Sequence, residues 1–162
     1  MHAANEFVNE LDVVALSLPG SFDASLPIAA ARAGALGILD VCDALSAEQV
    51  LPEVDRLARL AGGRRYGVML PAQLGPIQRA VADGVGDCAC VLLTEPMSDR
   101  LSDAVSFWRT RAARVGVVVT SVEEGRRAVD TGADLGGGRM NEKDRRVGEE
   151  TTFIITQRLL AA

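Results

Sequence analysis

An α/β fold of parallel strands is what this sequence predicts, and two observations carry it. Short aliphatic runs alternate with segments of helical spacing. A strictly alternating order means parallel strands joined by right-handed crossovers. The runs are also nearly unbroken by polar residues, as suits strands buried on both faces. With 162 residues, 48% of them hydrophobic and 24% charged, the chain is expected to form a single domain over 1–162, with 1–11 as a flexible tail.

The runs are Val13 to Leu18, Ala35 to Val41, Tyr66 to Leu70, Cys88 to Thr94 and Val115 to Thr120. Between them lie helical patterns. Val50, Val54, Leu57 and Ala61 fall on one face, as do Leu101, Val105, Trp108 and Ala112. Leu74, Ile77 and Val81 repeat the spacing, and so do Val122, Gly125 and Val129. Ser46 with Gln49 reads as a capping box, and Pro52 either opens or kinks that helix. Ser98 and Ser121 are expected caps for the fourth and fifth helices. Gly62-Gly63, Gly84 and Gly132 are expected helix ends.

A sixth unit looks different. Gly136, Gly137 and Gly138 bring no side chains to pack, which predicts a poor strand. A charged loop is expected from Asn141 to Gly148, then an apolar helix from about Glu149 to Leu160, with Gly136 to Gly138 and Lys143 to Arg146 expected to be mobile. Strand starts recur about every 24 residues, so the chain holds about six parallel β/α units, whereas complete eight-unit barrels take about 250 residues. An open doubly wound sheet and an incomplete barrel both remain at this point.

Composition excludes several functions. Aromatics make up 4%, too few for a base-stacking surface, and 17 Lys+Arg against 22 Asp+Glu give −5, a poor match to a phosphate backbone. No nucleic-acid partner is expected. No apolar run approaches a membrane span, and the N-terminus lacks a signal-peptide pattern, so a cytoplasmic protein without membrane contact is expected. His2 is the only histidine and lies in the tail, which disfavours a histidine base, triad or zinc site. Cys42, Cys88 and Cys90 lack metal-type spacing and read as reduced core residues, with Cys88 and Cys90 on one strand face. Asp40 and Glu95 sit at strand C-terminal ends, the ligand-binding face of parallel α/β folds, where carboxylates also serve as caps.

Four phrases in order carry a family resemblance. They are LSLPGSFDASLPIAAARAGALGILDV (16–41), YGVML (66–70), VVVTSVEEGRRAVDTGAD (117–134) and NEKDRRVGEETTFIITQRLL (141–160). Together they resemble the nitronate monooxygenase (2-nitropropane dioxygenase-like) flavoproteins, whose superfamily includes flavin-dependent enoyl-acyl-carrier-protein reductases. The nearest version stands at the N-terminus of polyketide- or fatty-acid-synthase-like proteins. The resemblance implies a partial (β/α)8 TIM barrel with FMN at the C-terminal ends of its strands.

It assigns flavin contact to Leu18, Pro19 and Gly20 after the first strand and to Thr120 and Ser121 after the fifth. In the sixth-strand loop Glu142 and Gly148 match the family, but Arg146 stands where the family places its histidine. Arginine stays protonated and cannot act as a general base, so no catalytic residue is assigned. The family's phosphate cradle lies on the seventh and eighth units, outside these six. The resemblance therefore implies an FMN-dependent oxidoreductase with weak or absent flavin binding and activity. Its substrate would be a small molecule or an acyl thioester. The alternative is a non-catalytic scaffold or interaction domain of a polyketide-synthase-like assembly. Two open sheet edges also predict self-association or a completing polypeptide.

Overall fold

The computed structural model describes residues 13–138 apart from positions 62, 64, 96 and 97. Its elements run β1 (Val14–Leu16), α1 (Ser25–Arg32), β2 (Leu36–Asp40), α2 (Ala47–Ala61), β3 (Tyr66–Pro71), α3 (Pro76–Gly84), β4 (Cys90–Thr94), α4 (Leu101–Trp108), β5 (Val115–Val119), α5 (Val122–Asp130) and β6 (Leu135–Gly138). All six strands are parallel and lie in sequential order.

That order decides between the two architectures. A doubly wound sheet reverses direction at a switch point and so carries helices on both faces. Here every crossover advances in one direction, so right-handedness puts all five helices on the same face. The fold is a partial (β/α)8 barrel, a curled sheet with helices on its convex side.

Each face has its own core. Beneath the helices, Leu39, Val68, Leu70, Val91, Leu93 and Val117 pack against helix residues such as Val54, Leu57 and Trp108. On the concave side, Leu36, Ile38, Met69 and Cys90 form a smaller cluster. Paired residues of parallel strands share a face. Val14 pairs with Leu36 and Leu16 with Ile38, so β1 extends the concave apolar surface, and there it is exposed.

Helix positions follow the periodicity closely in α2 and α4, whose buried faces include Val50, Val54, Leu57 and Ala61, and Leu101, Val105 and Trp108. Ala112 lies beyond the end of α4 and packs partly against the core. Pro52 sits inside α2, at an exposed position. Gln49 accepts from the amides of Leu45 and Ser46, which is half of the expected capping box.

Three expectations need correction. In α5 the buried face is Glu124, Gly125 and Ala128, while Val129 is exposed. A tight turn at Ser121 brings the Glu124 carboxylate inward and rotates the helix away from the Val122–Val129 stripe. Ser98 stands outside α4, whose cap position is Arg100, because the chain makes a turn first, with Leu101 N donating to Ser98 O. Finally, Gly136 to Gly138 form a paired strand beside β5. Ladder hydrogen bonds come from the backbone, so the absent side chains do not prevent pairing.

One glycine sets the distance between layers. A Cβ on Gly37 would stand 2.0 Å from the Pro27 carbonyl oxygen, so α1 rests directly on the backbone of β2. Gly37→Ala is expected to destabilise the fold by about 3 kcal/mol, through a backbone clash that no rotamer relieves. A chemical melt that coincides with that of the parent chain would overturn this account of the α1–β2 packing.

Candidate functional site

The C-terminal ends of the strands gather most of the sequence-predicted residues. Behind β1, Leu18 to Ser21 form a turn in which the Ser21 amide and hydroxyl both donate to the Leu18 carbonyl, at 3.2 and 2.8 Å. Leu18 is exposed, and Gly20 has φ +71°, a left-handed value that favours glycine. Two non-glycine residues share that region, Phe22 at φ 49° and Glu95 at φ 62°. Such backbones cost about 1 kcal/mol or more each, and both lie in loops on this mouth of the sheet.

Asp40 ends β2 and is 1% exposed. Its amide donates to Ser17 Oγ at 2.9 Å, and its Oδ1 accepts from the Cys42 amide at 2.9 Å. This carboxylate therefore holds the turn that leads out of β2. The half-buried Cys42 brings its Sγ to 3.8 Å from Thr94 Oγ1 at the end of β4, joining the β2 and β4 ends across β3. Glu95 follows β4 directly and is exposed.

At the end of β5 both predicted residues are engaged in the fold. Ser121 Oγ caps α5 by accepting from the Glu124 amide at 3.2 Å. Thr120 donates both its amide and its hydroxyl to Glu124 Oε2, at 2.6 and 2.9 Å. Glu124 is 4% exposed and sits in the first turn of α5, where the helix dipole favours a carboxylate. Sequence reasoning missed Glu124. Its signal was present as the Ser-x-x-Glu spacing of a capping box.

Glu142, Arg146 and Gly148 lie outside the described residues, as do His2, the charged loop and the expected last helix. Among the described residues no group of three or more His, Cys, Asp or Glu side chains is placed to hold a metal. No described helix is long and apolar enough to cross a membrane.

Cys88 and Cys90 are buried and free, as expected, but they do not share a face. Cys90 belongs to the concave cluster and Cys88 to the core beneath the helices. The chain reaches strand geometry only at Cys90, and Cys88 makes an isolated bridge to Ala112 before it. Burial pushes the Cys88 thiol up to about 12, with a further contribution from Cys90. Burial likewise raises Cys90 to about 11.

An open cavity of about 450 Å³ lies at the opposite end of the sheet. Its lining includes Arg65, Asp87, Cys88, Arg109 and Arg111, from the segments that enter β3 and β4 and from the α4–β5 connection. Among the described residues, none that the resemblance assigns to flavin lines it.

The comparisons with known proteins bear on the fold. Neither a protein-family model nor a curated protein matches the chain. Among solved structures, FabK from Thermotoga maritima superposes with a TM-score of 0.71 at 19% identity, covering 91% of this chain and 47% of that one. A single-residue variant of the same protein gives 0.69 at 19% identity, covering 91% of this chain and 49% of that one. The chain thus spans about half the length of the structures it matches, and at this identity the likeness is one of fold.

Two outcomes follow from these contacts. Glu124→Ala leaves the Thr120 amide and hydroxyl without their acceptor and is expected to cost about 2 kcal/mol in a chemical melt. An unchanged midpoint would show that the carboxylate does not organise this mouth. For the cysteines, one thiol of three, Cys42, is expected to react with a disulfide reagent in the native protein at pH 8, and all three in denaturant. Thiols ionise near 9.0 in the unfolded chain but near 11 and 12 when folded. The unfolded state therefore loses protons first, so stability is intact below about pH 9 and falls as pH rises toward 12. Rapid native reaction of two or three thiols would contradict the burial of Cys88 and Cys90.

Proposed function

We propose that this chain forms the first six units of a flavin-dependent oxidoreductase barrel of nitronate monooxygenase type. The observation that supports this most directly is the Leu18–Ser21 turn at the C-terminal end of β1. There, an exposed loop with a left-handed glycine occupies the place that the resemblance gives to flavin contact. A glycine backbone lets a flat ring approach closely. The concave face below it is apolar, with Ile38 and Met69 fully buried and Leu92 half-buried.

The fit to FMN is partial. Leu18, Pro19 and Gly20 suit ring contact. Thr120 and Ser121 spend their hydroxyls within the fold, which leaves the backbone of that loop as the contact it offers. Flavin, when bound, supplies reversible hydride or electron transfer. The protein's part at this mouth is to exclude water with the apolar concave face and to orient the ring with the β1 loop. Arg146, in the sequence position of the family's base, serves an anion and not proton abstraction. The substrate class is a small molecule or an acyl thioester, and the setting is a cytoplasmic, polyketide-synthase-like assembly.

A second reading is favoured by Arg146 and by the exposed concave residues Val14 and Leu16 on edge strand β1. In it the chain is a non-catalytic scaffold whose open face meets a second copy or a completing polypeptide.

Titration of FMN fluorescence with the purified chain tests both. Binding in the range of tens of micromolar is expected, equivalent to about 6 kcal/mol, with no turnover of nitronate. Arg146→Ala is expected to weaken it further. Gly20→Val, which strains the left-handed turn, is expected to abolish it. Tight stoichiometric flavin would overturn the scaffold reading. Absence of binding at millimolar FMN would leave the scaffold.

A further inference from the structure

The arginine-lined cavity at the N-terminal ends of β3 and β4 is remote from the mouth discussed above, and neither reading of the function employs it. Three of its lining side chains are arginines, Arg65, Arg109 and Arg111, against one carboxylate, Asp87. Of these, Arg109 is paired with Asp134. The cavity volume of about 450 Å³ falls within the range of small-molecule sites.

Two of the arginines are held in place. The Arg111 guanidinium lies 3.9 Å from the centroid of the Phe107 ring, and its Nη1 donates to Phe107 O at 3.0 Å and to Thr110 Oγ1 at 2.9 Å. These contacts use one corner of the guanidinium. Among the described residues, its Nε and Nη2 make no hydrogen bond. Arg109 is fixed by Gly132 O and by Asp134 Oδ1 at 3.1 Å. A planar fork whose orientation is already fixed loses little entropy on meeting an oxyanion, and its geometry matches phosphate bidentately.

We propose that this cavity binds a phosphate-type oxyanion, with Arg111 as the principal contact and Asp87 opposing it. The carboxylate has a direct consequence: it disfavours highly charged anions, so its neutralisation strengthens binding. The site does not depend on the flavin reading, because the two share no described residue.

Inorganic pyrophosphate and orthophosphate, each at ionic strength matched with chloride, are the probes, with the full chain in calorimetry and amide chemical-shift mapping. Shifts are expected at Ala89 and across Arg109 to Ala113. Arg111→Gln keeps a polar side chain of similar reach but removes the charge. It is expected to weaken pyrophosphate about tenfold, with FMN titration unchanged. Asp87→Asn is expected to strengthen pyrophosphate severalfold. The melting temperature of each variant without ligand separates loss of fold from loss of binding. The proposal is overturned if pyrophosphate acts no differently from chloride, if the shifts map elsewhere, or if neither substitution alters affinity.

Discussion

Everything in this molecule depends on one constraint: six parallel strands are laid down in sequence order, each crossover right-handed. That rule gives the sheet one face covered by the described helices and one face without them. Helices cover Leu39, Val68, Leu93 and Val117, and the sheet curls so that Ile38, Met69 and Cys90 crowd together on the other side. The glycine at position 37 belongs to the same constraint. Helix α1 rests directly on the backbone of β2, and any side chain there would hold it off.

Much of the architecture was legible in the sequence because both faces of the central strands are buried. Runs such as VVV and LGIL carry no polar interruptions, and α2 and α4 each present an apolar stripe that the structure buries as read. Legibility failed where backbone or a single polar side chain replaced apolar packing. β6 pairs through its peptide groups despite three glycines, and α5 takes its rotation from Glu124 and not from Val129. Cys88 and Cys90 looked coplanar because spacing was taken as strand geometry, yet the strand begins only at Cys90.

The mouth was legible by position and less so by chemistry. Asp40, Thr120 and Ser121 stand at strand ends, as read, but each is spent on a turn or a cap: Asp40 on the Cys42 amide, Thr120 on Glu124, Ser121 on the first turn of α5. Residue type and location do not reveal whether a hydroxyl is already bonded. Only the neighbours do, and the decisive neighbour here, Glu124, is four residues along a helix. The arginine-lined cavity escaped the sequence for the converse reason. Arg65, Asp87 and Arg111 are distant in the chain and meet only because β3, β4 and β5 are neighbours.

The aromatic pair on α4 has a practical consequence. Trp108 is the sole tryptophan, it is fully buried, and its ring meets Phe107 edge to face with centroids 5.3 Å apart. The protein therefore carries a single tryptophan emitter, lodged in the core beneath the helices and sensitive to whether α4 is docked on the sheet. Its emission reports the undocking of that one helix, while the circular dichroism of the chain reports all helices at once. Comparing the two signals during unfolding would separate local detachment of α4 from collapse of the whole sheet.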